Sequence, residues 1–305
     1  MTKAIKFNLL LDKHPVRDLD DLRANFNLDD LLTAYHSHTL HRWLEVRDLQ
    51  DELKQIKCIR GYSEKTIAEQ LCKILFSDLN QEEIEAAVYP IEFRKQQQQQ
   101  LEQLTSQQFS KDAVIKSYHA GYEKLCADML EKAEDYQFLK AAVNTLWIDY
   151  AQLFRVDFNR FFDEFIEKSP LTLFTMLAND DYRQSEIFDG KYHYTNSFEE
   201  ELQEIEDMDK TYNYKSRIFD KTRYNRSLIS SIQSYSGITD GYWKDLQPKG
   251  TKCLILGMEA GNFIRNSGKN GEELNAEAIN KEFLILDGID YKSNNADHAL
   301  IYMVI

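Results

Sequence analysis

Eight of the eleven glycines in this 305-residue chain lie between Gly237 and Gly288; only Gly61, Gly121 and Gly190 precede them. Glycine weakens a helix interior by roughly 1 kcal/mol relative to alanine and supplies the backbone freedom that tight turns need. The distribution therefore divides the chain by fold class. About three-quarters carries helix chemistry, and the last quarter reads as short strands joined by turns. The expected fold class is α+β: two helical blocks followed by a small antiparallel β domain at the C-terminus.

The first block runs from about Val16 to Phe76. "HPVRDLDDLRANF" sets Pro15 ahead of Leu19, Leu22 and Phe26, with acids near the helix start, where they complement the dipole. Asn27 is a good N-cap for a helix with Leu28, Leu31, Leu32 and Tyr35 on one face. Leu40, Trp43, Leu44 and Leu53 continue the pattern, and Ser63 can cap the helix carrying Ile67, Leu71 and Leu75. Residues 77–112 contain Pro90, expected to end a helix, and a glutamine tract whose composition fits either a polar helix or a disordered linker. The second block, from Ala113 to about Asp181, holds Ile115, Tyr118, Tyr122, Leu125 and Met129 at helical spacing. Its later segments are apolar around most of their circumference, as in helices buried on several sides. Pro170 should start or kink the last of them. In the tail, "KCLILGM", "GNFIR", "EFLILDG" and "ALIYMVI" read as strands. The expected divisions are 1–76, a Gln-rich connector 77–112, a helical domain 113–236 and a β domain 237–305.

"PVRDLDDLRANFNLDDLLTAYHSHTLHRWLEVRDLQDELKQI", followed by "EQLCKILF", resembles a small helical module found near the N-termini of otherwise unrelated bacterial multi-domain proteins. The resemblance covers residues about 8–76 and brings no assigned activity. It implies a chain built from attachable parts, and so an interaction role. A glycine commonly stands in that module where His38 stands here, which implies a turn with positive φ.

The formal charge of −14 opposes broad contact with a nucleic-acid backbone, which needs a basic stripe. Cys58, Cys72, Cys126 and Cys253 form no CxxC pair, a pattern suited to a reducing cytoplasm. No run approaches the ~20 apolar residues of a membrane span, and the first residues lack a signal-peptide core. A cytoplasmic protein is expected, without membrane contact.

Three of the seven histidines, His36, His38 and His41, fall within six residues. A zinc site needs three or four converging ligands, and residues two apart diverge on a helix. A polar turn between helices is the preferred reading, with no metal site expected. His119 reads as a core or boundary residue. Asp287, Asp290 and Lys292, with Glu259 from a preceding strand, are candidate catalytic residues for metal-dependent nuclease chemistry. The preferred reading of Asp287–Gly288 is nonetheless an ordinary hairpin turn, with the second acid and the lysine solvating it. Lys215, Arg217, Lys221, Arg223 and Arg226, interleaved with Tyr212, Tyr214 and Tyr224, form either a local nucleic-acid surface or the complement of the acidic run holding Phe198, Leu202, Ile205 and Met208. Trp43, Tyr242, Trp243, His36 and His41 are candidate partner contacts. No cofactor motif is present. The expected function is a non-enzymatic adaptor or accessory subunit of a bacterial multi-protein system, with defence against phage as one setting and partner proteins encoded nearby. The alternative is a metal-dependent nuclease or toxin-like effector using the acids of the β domain.

Overall fold

The structure is a computed structural model that describes residues 7–61, 63–76, 80–106, 111–185, 187–189, 214–224, 230–268 and 272–305. It is α+β, helical first and ending in a six-stranded antiparallel sheet. The chain forms two compact units, Met1–Gly121 and Tyr122–Ile305. Among the described residues no helix is long and apolar enough to cross a membrane.

The first unit opens with a hairpin that the helical reading had left out. Strands β1 (Leu9–Leu11) and β2 (His14–Val16) pair across a turn in which Asp12 and Lys13 both have positive φ. Leu9, Leu11 and Val16 join the core. Five short helices follow: α1 (Leu19–Ala24), α2 (Leu28–His36), α3 (Thr39–Val46), α4 (Gln50–Lys57) and α5 (Glu64–Leu75). Asp18, Asn27 and Ser63 each accept a hydrogen bond from a backbone N–H in the first turn of α1, α2 and α5. These caps satisfy donors that a helix start leaves unpaired. Leu22, Leu31, Leu40, Trp43, Leu44, Ile56 and Leu71 fill one cluster.

Helix α6 (Gln81–Ser106) runs straight through Pro90 rather than ending there. Proline inside a helix costs about 3 kcal/mol, so contacts on both sides of it must hold the helix together. Ile84 and Val88 pack into the module core. Beyond the proline, Phe93 is buried, Lys65 bonds Glu92 at 2.5 Å and Arg94 bonds Asp29 at 2.8 Å. Gln98, Gln99 and Gln100 of the glutamine tract are exposed on this helix. Helix α7 (Lys111–Glu131) buries Tyr122, Leu125 and Met129 as its spacing predicts, but Ile115, Tyr118 and His119 are exposed, so His119 is a surface residue.

In the second unit, α8 (Tyr136–Lys168) bends at Tyr150, whose φ of −130° is not helical. Past the bend Phe154 meets Phe158 and Phe161 edge-on, and Phe161 stacks on Phe165 at 3.9 Å. Such ring pairs add ~0.5–1.5 kcal/mol beyond the area they bury. Helix α9 (Pro170–Ala178) has Pro170 in its first turn and buries Leu171 through Leu177 without a break. Helix α10 (Asp180–Gln184) and a 3₁₀ turn (Ile187–Asp189) follow. Helix α11 (Tyr214–Tyr224) ties to α8 through Arg217–Asp163 and Lys221–Glu167, both at 2.8 Å. The acids answering this basic segment thus come from α8. The acidic run at Phe198–Met208, Tyr212 and Arg226 lie outside the described residues.

The sheet comprises β3 (Ile232–Tyr235), β4 (Lys244–Met258), β5 (Asn262–Arg265), β6 (Leu274–Asn275), β7 (Ile285–Ser293) and β8 (Leu300–Val304), in the order β3-β8-β4-β7-β5-β6. A one-turn helix α12 (Ala276–Ile279) leads from β6 towards β7. The sheet is tightly coiled, and chain length shows it. Leu254 pairs with Ile285 at the start of β7, and Asn262 pairs with Ser293 at its end. Eight residues of strand span about 27 Å, yet only Glu259–Gly261 join β4 to β5, a reach of about 14 Å. Coiling brings the two ends together around Ile255, Ile264, Ile289, Tyr291 and Leu300.

Asp287–Gly288 is not a hairpin turn but the middle of β7. Opposite it, β4 bulges: Gln247 pairs with Ile289 and Lys252 with Asp287, so the strand carries extra residues between them. A Cβ on Gly288 would lie 2.7 Å from the Pro248 carbonyl oxygen and 2.8 Å from that of Gln247, at a φ of +69°. Only glycine lets the bulge settle there. Gly250, at the bulge tip, has φ +98° and open space around it. Gly288→Ala is therefore expected to destabilise the chain by roughly 3 kcal/mol or more, combining strain with backbone overlap. Gly250→Ala should cost only about 1–2 kcal/mol, from conformation alone. Urea denaturation midpoints of the two variants check the order.

Candidate functional site

Leu286, Ile289 and Tyr291 point into the sheet core. The alternation along β7 breaks at Gly288, opposite the extra residues of β4, so Asp287, Asp290 and Lys292 share the opposite face. Each is engaged there. Asp287 Oδ1 accepts the Gly250 N–H at 2.6 Å. Asp290, buried at 7% exposure, accepts from Arg265 Nε and Ser267 Oγ, both at 3.1 Å. Lys292 Nζ lies 2.8 Å from both carboxylate oxygens of Glu273. Glu259 stands at the end of β4, where its Oε2 accepts the Ala299 N–H at 2.9 Å. Among the described residues no three His, Cys, Asp or Glu side chains are placed to hold a metal ion.

On the same face Trp243 sits against two cations, with Arg265 4.2 Å and Lys292 4.6 Å from its ring centroid. The neighbouring turn explains this position. Thr239 accepts the Tyr242 N–H at 2.8 Å, with φ of +49° at Asp240 and +79° at Gly241, the two positive values of a type I′ turn. Thr239 is bonded to Ser293 in both directions. The turn is thereby fixed to β7, and it holds Tyr242 78% exposed beside Ile238 at 56%.

The histidine joint takes the form its sequence predicts. His38 adopts φ +59° and ψ +10° between α2 and α3. His36 lies 3.6 Å from Glu64. The His41 ring is 5.0 Å from that of His38 and 5.4 Å from that of Tyr35, and its Nδ1 is buried without a hydrogen-bond partner. Burial first, then the charges of His38 and Lys57, lowers the His41 pKa below 6.5. The unfolded chain therefore binds this proton more readily, and stability falls as pH drops below about 6.5. Trp43 requires a correction: it is wholly buried and fills the module core rather than facing a partner.

A cavity of about 740 Å³ in the second unit went unseen in the sequence. Its floor is Phe219, Leu256 and Ile301, with Glu259, Glu277 and Asp297 at its edge. Asn280 shapes one wall by bonding both the N–H and the carbonyl of Met258. Gly257 leaves room for Phe219, whose ring a Cβ would meet at 2.8 Å. These residues share no spacing or motif, and only the coiled sheet gathers them. Burial pushes the thiols of Cys72, Cys126 and Cys253 up to about 12, which makes them poor nucleophiles.

Asp290→Ala is expected to destabilise the chain by about 3 kcal/mol, because it strands a largely buried guanidinium and the Ser267 hydroxyl. Asp290→Asn, which retains an acceptor, should cost clearly less. Thermal and urea denaturation distinguish the two.

Neither a protein-family model, nor a curated protein, nor a solved structure matches this chain.

Proposed function

We propose that this chain is a non-enzymatic adaptor, a protein-binding subunit of a bacterial multi-protein assembly that works in the cytoplasm with partners encoded nearby. The observation that carries this reading is the corner at Ile238–Trp243. A type I′ turn, bonded to β7 through Thr239 and Ser293, presents Tyr242 and Ile238 to solvent beside a tryptophan braced by two cations. Tyrosine, tryptophan and arginine are the residues that most often dominate protein interfaces. A side chain presented on a rigid turn loses little conformational freedom on binding. The −14 charge suits a basic partner surface, and defence against phage is one setting in which such an adaptor would serve. Asp290 and Lys292, by contrast, already have structural partners in Arg265 and Glu273, so the effector reading draws no support from their geometry.

A photo-crosslinking residue in place of Tyr242 should trap a discrete protein adduct in cells, absent when the same residue replaces the exposed Gln98 of α6. The trapped partner should bind the purified chain about tenfold or more weakly after Tyr242→Ala, with no change in melting temperature. Identical adducts from both positions would count against the adaptor reading. So would divalent-metal-dependent nucleic-acid cleavage that Asp290→Asn abolishes in a folded protein.

A further inference from the structure

In a chain with 51 acidic and 37 basic residues, cations that gather without acids need an explanation. They do so in the first unit, in a pocket of about 470 Å³ at the joint between α2 and α3. Helix α2 contributes Tyr35 and His36, the joint itself His38, and α3 contributes His41. Lys57, the last residue of α4, and Arg60 just beyond it close the other side. Among the described residues no carboxylate lines this pocket. The acid placed beside it, Glu64 at the start of α5, lies 3.6 Å from His36. Ile56 and Ile59 provide an apolar wall.

We propose that this pocket binds a phosphomonoester dianion, carried either by a mononucleotide or by a phosphorylated serine. Two independent observations point to an anion. First, the buried His41 Nδ1 has no hydrogen-bond partner, an arrangement that costs about 1–3 kcal/mol unless a ligand supplies one. Second, burial first and then the charges of His38 and Lys57 hold the His41 pKa down, and a counter-charge entering the pocket relieves the last two. A phosphate offers three acceptor oxygens and nearly two charges, enough for His38, His41 and Lys57 together. A bare phosphate fills little of the volume. The isoleucine wall and the Tyr35 ring suit a ligand with a body behind its phosphate.

The chemistry sets a pH dependence. The His41 imidazole attracts the ligand when protonated, and a bound dianion raises its lowered pKa, so binding takes up a proton. Phosphomonoesters lose their second proton near pH 6. Affinity should therefore be greatest at about pH 6 and weaken towards pH 7.5. This site is separate from the Ile238–Trp243 corner, and neither proposal depends on the other.

Titration calorimetry of the full chain at pH 6.0 and 7.5, with AMP, phosphoserine and inorganic phosphate as probes and adenosine and serine as controls, tests the site. At least one phosphomonoester should bind one-to-one, about fivefold or more tightly at the lower pH. Binding should fall about tenfold in Lys57→Glu, an exposed position whose replacement leaves the core intact. The His41 imidazole resonances of the wild-type chain should shift on addition. A preference for AMP identifies a mononucleotide ligand, and a preference for phosphoserine a phosphorylated side chain. The proposal is overturned if no phosphomonoester binds in the millimolar range, if inorganic phosphate binds as tightly as both, if the controls match their phosphates, or if Lys57→Glu binds unchanged.

Discussion

The approach of the Gln247 and Pro248 carbonyls to within 2.8 Å of where a Cβ would stand on Gly288 governs the sheet. With that gap closed, β4 can carry its extra residues and still pair with β7 on both sides of the bulge. The bulge steepens the coil of the sheet. The coil lets the short Glu259–Gly261 connection join strands whose pairing positions on β7 are eight residues apart. The same displacement moves Asp290 and Lys292 onto the face of Trp243. Without the break at Gly288 the alternation set by Leu286 would reverse, sending Asp290 and Lys292 into the core and Ile289 and Tyr291 out. One missing side chain thus sets both the shape of the sheet and the make-up of its outer face.

The first unit depends on a different local constraint. Helices α1 to α5 are short, from six to twelve residues, at or below the length at which helices persist alone in water. They hold together because each reversal directs an apolar face to one core. His38 makes one of those reversals in a left-handed conformation, which a non-glycine residue adopts at some cost in strain. Histidine there places an imidazole beside His41 and the cations that end α4, where glycine would place nothing.

Helix and strand chemistry were legible in the chain because they are local. The glycine boundary, the caps at Asn27 and Ser63, Pro170 in a first helical turn and the strands of the tail depend on neighbours a few residues away. Pro90 misled for the complementary reason: its helix survives through Lys65, Asp29 and the burial of Phe93, none of which a local pattern displays. The β1–β2 hairpin was missed because Leu9 and Leu11 form too short a run to suggest a strand until a core is there to receive them. Of the candidate site residues, spacing set Asp287, Asp290 and Lys292 after a strand, whereas they lie within β7. It could not reveal that Gly250, Arg265 and Glu273 would occupy them. The cavity around Phe219, Gly257 and Asn280 left no trace at all, since its walls come from segments up to about eighty residues apart.

What separates the two proposed binding surfaces from the rest is how their charges are answered. Asp29, Asp163, Glu167 and Asp290 each face a lysine or arginine. The exposed pairs among them contribute little, ~0–1 kcal/mol, while the buried Asp290–Arg265 pair is held within the fold. At Trp243 the two cations are answered twice, by Asp290 and Glu273 and by the indole face, which fixes the ring and leaves Tyr242 as the exposed polar–apolar contact at the corner. At the histidine joint, His38 and Lys57 oppose the charging of His41 without a carboxylate in the pocket wall. The first arrangement spends its electrostatics within the fold and leaves apolar area exposed. Among the described residues, the second leaves its basic side chains without a carboxylate in the pocket wall. On the two proposals, one unit would meet a protein surface through apolar area and the other an anion through charge.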